Sequence, residues 1–246
     1  LYAGQGWKWN DNNIKKYLAQ WGITAPIAYT DHHHSHAAGG YFTSPFKDAC
    51  VVVIDAIGEF ETLTIWRAQG NKLERVYSKR FPNSIGLFYS AMTQRVGLKP
   101  LEDEYVLMGM SAYGTDHLYK RMKTDFINNL REYDFNKNLH RGCQDWAPDL
   151  TITDSFDIAR ATQRLYEDMF KSVLRRAWGL VPNDNLVLMG GCALNSLANR
   201  LTGMMFNNTW IMPNPGDAGS AIGAVMAHHP EWRIDNDSFT PLLGYD

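Results

Sequence analysis

The run Cys50-Val51-Val52-Val53-Ile54-Asp55 decides the fold of this chain. Its apolar, mostly β-branched residues follow one another without alternation, which is typical of a strand buried on both faces of a sheet. The run ends at Asp55, so a carboxylate would lie at the carboxyl end of a central strand. We therefore predict an α/β fold with residues 50–54 at the centre of its sheet.

Further strands are predicted after this run. Residues 62–68 and 72–79 are strand-like, and Gly70-Asn71 between them has the residue types of a tight turn. Together with the first run they predict an antiparallel meander. Two more strands are expected at 186–189 and 209–212, and each leads into a turn that contains glycine.

Helices are predicted before, between and after these strands. Asp31 is a good N-cap for a helix that would end at residue 42. In the longest helix, apolar side chains from Phe156 to Ala177 recur at helical spacing, which predicts a face packed in the core. The other predicted helices cover residues 86–96, 102–110, 116–132, 155–178 (the longest) and 219–227, and one more begins near Ala193.

The length of 246 residues fits one large domain or two small lobes. We predict a lobe at about 28–133, a loop with glycine, proline and polar residues at about 134–150, a second lobe at about 151–230 and a tail at 231–246. The chain begins with Leu1 rather than methionine. We therefore expect that it was processed or belongs to something longer.

The composition argues against several classes of function. The formal net charge is −2 and there is no basic stripe, so no general nucleic-acid surface is expected. No apolar run is long enough to predict a membrane span. The cysteines Cys50, Cys143 and Cys192 lie far apart and form no C-x-x-C pair, which argues against a zinc knuckle or a redox dithiol. Their odd number favours reduced thiols and a cytoplasmic protein.

Half of the eight histidines lie in the run Asp31-His32-His33-His34-Ser35-His36-Ala37. On a helix, His32 and His36 are one turn apart on the same face, where two imidazoles can bind one metal ion. On this spacing alone, the alternative of a polar helix start at the surface without any ligand stays open.

Turns with glycine follow the predicted strands at residues 55–59, 190–195 and 213–219. Glycine lets the backbone approach a ligand, and a helix N-terminus favours anions. Taken singly, each turn has a structural alternative, such as an N-cap role for Asp217. Taken with the histidines, they supply two imidazoles and two carboxylates, a mixed set that suits Fe(II), Mn(II) or Zn(II) beside a phosphate. The predicted metal ligands are His32, His36, Asp55 and Asp217.

An ordered set of motifs resembles the O-carbamoyltransferases of the nodulation-protein-U and antibiotic-tailoring type. The motifs keep the order of that family over about residues 28–228 and are specific as a set. They are HHHSHAA (32–38), VIDAIGE (53–59), PNSIGLFY (82–89), EYVLMGMSAYG (104–114), GGCALN (190–195) and NPGDAG (214–219).

The resemblance implies an actin-like, Hsp70-like ATPase (ribonuclease-H-like) fold, related to the subunit that transfers threonylcarbamoyl to tRNA. It implies that ATP and carbamoyl phosphate give a carbamoyl-adenylate, whose carbamoyl group passes to the hydroxyl of a small molecule. It implies the same metal ligands, with Fe(II) favoured. His33 or His34 would act as a base toward the hydroxyl, with surface solvation the alternative for one of them. The residues expected at the nucleotide are Asp55, Gly58, Gly190, Gly191, Asn195 and Gly216.

Two residues depart from the family pattern. Ala56 stands where the family has glycine, and its methyl group restricts a turn position. Val106 stands where the family has lysine, so a contact to phosphate or within the protein is expected to be lost.

Members of this family are longer than this chain. They begin with a phosphate-binding hairpin and end with an adenylate-forming domain. Neither is recognised here, so we expect a fold that is incomplete at its N-terminus and a partner chain that supplies the missing parts. Two alternatives stay open: a non-catalytic nucleotide-binding or scaffold subunit of the same fold, and threonylcarbamoyl transfer to tRNA. The match at residues 84–114 and the lack of a basic patch speak against the second.

Overall fold

The computed structural model describes residues 5–234, with side chains from residue 12 onward. The strands are β1 (Asp48–Gly58), β2 (Glu61–Gln69), β3 (Lys72–Arg80), β4 (Ile127–Asn129), β5 (Asp134–Phe135), β6 (Asn185–Met189) and β7 (Asn208–Trp210). The α-helices are α1 (Gln5–Gln20), α2 (His32–Phe42), α3 (Ile85–Arg95), α4 (Glu104–Met110), α5 (Tyr119–Phe126), α6 (Ser155–Leu180), α7 (Ser196–Asn199) and α8 (Asp217–His228). Most of the predicted tail, from residue 235 onward, lies outside the described residues.

The sheet is built around β1, as predicted. Its strand order is β3-β2-β1-β6-β7. On one side Val52 pairs with Ile65 in the antiparallel meander, and on the other side it pairs with Leu188 of the parallel strand β6. An antiparallel meander extended by parallel strands beyond β1 makes a mixed five-stranded sheet, and the predicted α/β class is confirmed.

The two faces of β1 serve two separate cores. Cys50, Val52 and Ile54 face the larger core, which is filled by side chains of α3 and α6. Val51 and Val53 face the smaller core, which α2 and α8 cover. Because both faces are covered, the strand is apolar throughout instead of alternating, and it has no exposed residue between Ala49 and Ile54.

The predicted helices are found near their expected bounds, with two exceptions. The helix expected at 116–132 is wrong beyond Phe126, because the chain turns there into the β4–β5 hairpin. The carboxamide oxygen of Asn129 accepts from the N–H groups of Arg131 and Glu132, and Tyr133 has a φ of 57°, so the backbone of this stretch follows a turn. Near Ala193 the chain forms a 3₁₀ turn and then the single-turn helix α7.

The apolar face of α6 lies in the core as predicted, except at its first turn. Leu165, Tyr166 and Phe170 are buried, whereas Phe156 is 47% exposed and packs edge-on to Tyr113. Helix α1 was not predicted, and its described residues are exposed or half-buried. No helix in the described part of the chain is both long and apolar enough to cross a membrane.

The segment between residues 136 and 150 has little regular structure and is nevertheless anchored. The Arg95 guanidinium at the end of α3 donates to the carbonyls of Trp146, Ala147 and Leu150. The side chains of Trp146 and Ala147 are buried in the larger core. Strands from both predicted lobes share one sheet, and the division into lobes stays a prediction.

Candidate metal centre and adjoining cavity

Helices α2 and α8 pack backbone against backbone because glycine lies at their crossing. A Cβ atom on Gly223 would lie 1.7 Å from the carbonyl oxygen of Ser35, and one on Gly39 would lie 3.3 Å from Gly223. A side chain at Gly223 would therefore force the helices apart. This close approach brings Asp217, the first residue of α8, next to His36 on α2.

The structure brings all four predicted ligands together. The Nε2 atoms of His32 and His36 are 3.1 Å apart, and Asp55 Oδ2 lies 3.2 and 3.1 Å from them. Asp217 Oδ1 lies 3.4 Å from His32 and 3.2 Å from His36. Ligand atoms that surround one ion at 2.0–2.2 Å are separated from each other by about 3.0–3.6 Å. The four atoms are thus spaced as ligands of a single ion.

Asp55 lies in the last part of β1, just after the regular pairing with β2 is interrupted at Ile54, and contacts both histidines of the cluster. Burial by itself would raise the pKa of its carboxyl group, but hydrogen bonds with His32 and His36 and from the backbone N–H of Gly191 outweigh burial and hold the pKa well below its usual range. Its Oδ1 accepts from Gly191 N–H at 2.7 Å, which leaves Oδ2 toward the imidazoles. The hydrogen bond with Asp55 also raises the pKa of His32 against the effect of burial.

The chemistry of the donor set fits a divalent cation. Two neutral imidazoles and two carboxylates carry a charge of about −2, which a divalent ion would balance. The His36 side chain is fully buried and the Asp217 side chain is 76% exposed, so the cluster is closed on one side and open on the other. The Nε2 atom of His36 is the ring nitrogen that faces the other ligands. Its Nδ1 atom is buried and has no hydrogen-bond partner among the described residues.

The glycines expected at the nucleotide differ in what surrounds them. A Cβ on Gly58 would lie 2.4 Å from the His32 ring, and one on Gly190, where φ is +90°, would lie 2.3 Å from the Ile54 carbonyl oxygen. Gly216 precedes α8 as its N-cap. These three positions are explained by packing and helix geometry, whereas Gly191 lines the cavity described below. The nucleotide role of all of them stays a prediction.

The two histidines expected to act as a base do not line that cavity. His33 is buried, its Nδ1 lies 2.9 Å from the Thr64 hydroxyl, and burial lowers its pKa to about 3. His34 stacks on Trp66 at 5.3 Å and borders a separate depression beside Arg67. The catalytic assignment of either residue stays a prediction.

A cavity of about 850 Å³ opens beside the metal cluster. Asp55, Gly191 and Asp217 form one part of its wall, and Gly86 of α3 another. Tyr105 of α4 stands 69% exposed at the wall. This volume is in the range of sites for nucleotides and other ligands of that size.

The wall beside Gly191 depends on a polar network inside the core that the sequence did not predict. Gln163 of α6 is buried and exchanges two hydrogen bonds of 3.0 Å with Asn195, while the Tyr89 hydroxyl donates to it at 2.8 Å. Asn195 also caps α7 by accepting from Ala198 N–H. A glutamine at a core position of the α6 stripe was the available signal, because a buried amide requires partners.

The fold and the site define the class: an α/β domain with a mixed sheet and a cluster of two histidines and two aspartates beside a ligand-sized cavity. The sequence model of the family described as the carbamoyltransferase N-terminus matches residues 13–226. The chain therefore belongs to the carbamoyltransferase family.

Several relatives share this similarity. An uncharacterised protein of Synechocystis is 34% identical over 242 residues, which cover 87% of this chain and 39% of that protein. Nodulation protein NolO of Bradyrhizobium diazoefficiens is 27% identical over 206 residues, which cover 80% of this chain and 37% of the relative. The chain thus spans about two fifths of the length of these relatives.

Among solved structures, component A of (R)-2-hydroxyglutaryl-CoA dehydratase from Acidaminococcus fermentans is similar with 16% identity and a TM-score of 0.44. The similarity covers 78% of this chain and 64% of that one.

Proposed function

We propose that this chain is the transfer domain of a metal- and ATP-dependent O-carbamoyltransferase. The observation that carries the proposal is the convergence of His32, His36, Asp55 and Asp217 within 4.8 Å at the wall of the cavity. Membership of the carbamoyltransferase family supports the reaction type. The proposed substrates are ATP, carbamoyl phosphate and a small molecule with a hydroxyl group. A partner chain or further domain would complete the reaction, in the cytoplasm.

The transfer step needs a leaving group and an oriented acceptor. The acceptor oxygen forms a bond to the carbamoyl carbon, the bond from that carbon to the adenylate phosphate oxygen breaks, and AMP leaves with the electron pair while the hydroxyl proton passes to a base. A divalent cation held by the two histidines and two aspartates would neutralise phosphate charge. Fe(II) is our first choice, with Mn(II) or Zn(II) as alternatives.

The protein contributes positioning of the reacting groups. Gly191 and Asn195 stand at the cavity wall, where the absence of a side chain on Gly191 leaves room for a ligand beside Asp55. Gln163 holds Asn195 from inside the core through a hydrogen bond, and Tyr89 in turn donates a hydrogen bond to Gln163. A rigid wall of this kind holds the reacting groups close together, which lowers the entropic cost of the transfer.

The first experiment measures metal binding by calorimetry with Mn(II) and Zn(II), and with Fe(II) under anaerobic conditions. In His36→Ala and in Asp217→Asn, we expect the affinity to fall at least tenfold, because the first change removes an imidazole ligand and the second replaces a charged carboxylate with a neutral amide. Asp217 is exposed, so its substitution tests the site without disturbing the core. The control is His117→Ala, whose exposed ring bonds to Thr115. Unchanged affinity in Asp217→Asn would refute the ligand set.

The second experiment measures turnover. The chain, alone and with the remainder of a full-length relative, is incubated with ATP, carbamoyl phosphate and Fe(II), and release of pyrophosphate and AMP is followed with a panel of hydroxyl acceptors. Carbamoylated acceptor that depends on Asp217 would support the proposal. Metal and nucleotide binding without turnover in either preparation would favour the non-catalytic alternative.

A further inference from the structure

Acidic side chains outnumber basic ones on the described wall of the cavity, and Arg141 is one of the few cationic groups there. The carboxylates of Asp55, Glu102, Glu104 and Asp217 all lie at the wall. Among the described residues that line the cavity, Arg141 is the only arginine, and no lysine accompanies it. A phosphorylated ligand in this cavity would meet these four carboxylates, so it needs cations to balance its charge.

The carboxylates at the wall are already engaged. Glu104 accepts from the Ser90 hydroxyl at 2.6 Å and from Leu101 N–H at 2.7 Å, and Glu102 pairs with Lys99 at 2.5 Å. The two aspartates face the imidazoles. Arg141, in contrast, has neither a hydrogen bond nor an ion pair within the part of the chain that the structure describes. Its guanidinium group is therefore available to bind a ligand in the cavity.

The backbone around Arg141 is fixed although it lies in an irregular segment. Gly142 has a φ of +79°, and a side chain there would meet the Gln94 amide at 1.7 Å. Gly142 N–H donates to the Leu139 carbonyl at 2.9 Å, and the His140 ring packs edge-on to Phe81. Residue 141 is therefore held at the cavity wall by its neighbours on both sides.

We propose that Arg141 binds one phosphate group of an oligophosphate ligand whose other phosphate lies at the histidine–aspartate cluster. A guanidinium can donate two parallel hydrogen bonds to a phosphate, which fixes orientation as well as charge. Arg141 would thereby set the direction in which the nucleotide enters the cavity. The identity of the ligand as ATP rests on the proposed function; the phosphate contact itself does not.

The test is calorimetric binding of inorganic pyrophosphate and of ATP to the chain in the presence of saturating Mn(II), because Asp55 and Asp217 would repel a phosphate at the cluster without a cation. Arg141→Ala should weaken both affinities by about tenfold or more, the range expected when a charge-assisted hydrogen-bonding partner is lost. Arg141→Lys should retain part of the affinity, because lysine keeps the positive charge but cannot donate two parallel hydrogen bonds to one phosphate. The matched control is Arg131→Ala, another exposed arginine, which should bind like the wild type.

Two readouts separate a direct contact from a structural effect. The wild-type affinity should fall as salt is raised, and this dependence should be weaker in Arg141→Ala. Mn(II) affinity should be the same in both proteins, because Arg141 is not a metal ligand. Equal pyrophosphate affinity in wild type and Arg141→Ala, or no binding by the wild type, overturns the inference. If Arg141→Ala weakens pyrophosphate binding but no carbamoyl transfer is found, the inference stands and the proposed function fails.

Discussion

At the scale of the residue, the backbone of Leu101, which lines the cavity, is strained. Its φ is 67°, a region that costs an L-residue with a side chain about 1–2 kcal/mol. The side chain is 69% exposed, so burial does not offset this cost. The conformation is imposed by Glu104, which accepts from Leu101 N–H, and by Asp103, which accepts from Lys99 N–H at 2.8 Å.

Replacing Leu101 with glycine should therefore stabilise the protein. We expect Leu101→Gly to raise the free energy of unfolding by about 0.5–1 kcal/mol, the relief of strain less the added entropy of the unfolded chain. Gly97 is the matched control, since it has a φ of +85° and open space around it. Gly97→Ala should lower stability by about 1 kcal/mol. Urea unfolding measures both, and a loss of stability in Leu101→Gly would show that its side chain contributes contacts that outweigh the strain.

Individual site residues differ in how far the sequence could predict them. His32 and His36 were predictable because the helical period alone puts them on one face. Asp55 was predictable because it ends an apolar strand. Arg141 was not, because it lies in a segment without period, where position depends on distant contacts such as that of Arg95 with the carbonyl of Trp146.

At the scale of the element, the site depends on the crossing of α2 and α8. Gly39 and Gly223 have no side chains that would hold the two helices apart at the crossing point. Gly219 likewise has no side chain that would meet the Asn214 carbonyl. The spacing Gly219–Gly223 was visible in the sequence, although the partner helix was not. Close packing of these two backbones is what sets the distance between His36 and Asp217.

A methyl group at this crossing should separate the helices. In Gly223→Ala the new Cβ would overlap the Ser35 carbonyl, so we expect a loss of about 1–3 kcal/mol from overpacking and a metal affinity at least tenfold lower. Gly179→Ala is the helical control, because nothing lies within 4 Å of its Cβ. It should gain about 0.5–1 kcal/mol and bind metal normally. Thermal unfolding with and without Mn(II) measures both effects, and normal metal binding in Gly223→Ala would contradict the role of the crossing.

The elements themselves were predictable where local pattern and burial agree. The strands β2 and β3 and the helix α6 met their expected bounds closely, whereas β1 covers Asp48–Gly58 instead of the predicted residues 50–54 because its pairing with β2 continues beyond the apolar run at both ends. The predicted helix at 116–132 failed where Asn129 turned the chain into a hairpin. Short polar hairpins of this kind are held by side-chain hydrogen bonds that the apolar pattern does not report.

At the scale of the whole molecule, the cavity is assembled from parts far apart in sequence. Asp55 comes from the central strand, Gly191 from the turn after β6, Glu104 from α4 and Arg141 from the irregular segment. The first two meet because β1 and β6 are parallel neighbours, a pairing that was not predicted from the sequence. The last depends on Arg95, whose three hydrogen bonds to backbone carbonyls the sequence could not predict.

Removing the Arg95 guanidinium should loosen this segment. Arg95→Met keeps most of the apolar stem but leaves the carbonyls of Trp146, Ala147 and Leu150 without their donor, which should cost about 2–4 kcal/mol. We expect trypsin to cleave the folded protein at Lys137 and Arg141 at least tenfold faster, because local opening becomes easier. Mass spectrometry of the fragments locates the cuts.

The matched control for this change is Arg200→Met, since Arg200 is 62% exposed and bonds only to the Glu167 side chain among the described residues. An exposed pair of this kind contributes about 0–1 kcal/mol, so its loss should leave the cleavage rate at residues 137 and 141 unchanged. If Arg95→Met unfolds globally, cuts appear throughout the chain; if it acts as the geometry indicates, they concentrate between residues 136 and 150. Cleavage at the wild-type rate in Arg95→Met would mean that burial of Trp146 alone holds the segment. The fixed placement of the cavity wall would then derive from the core and not from α3.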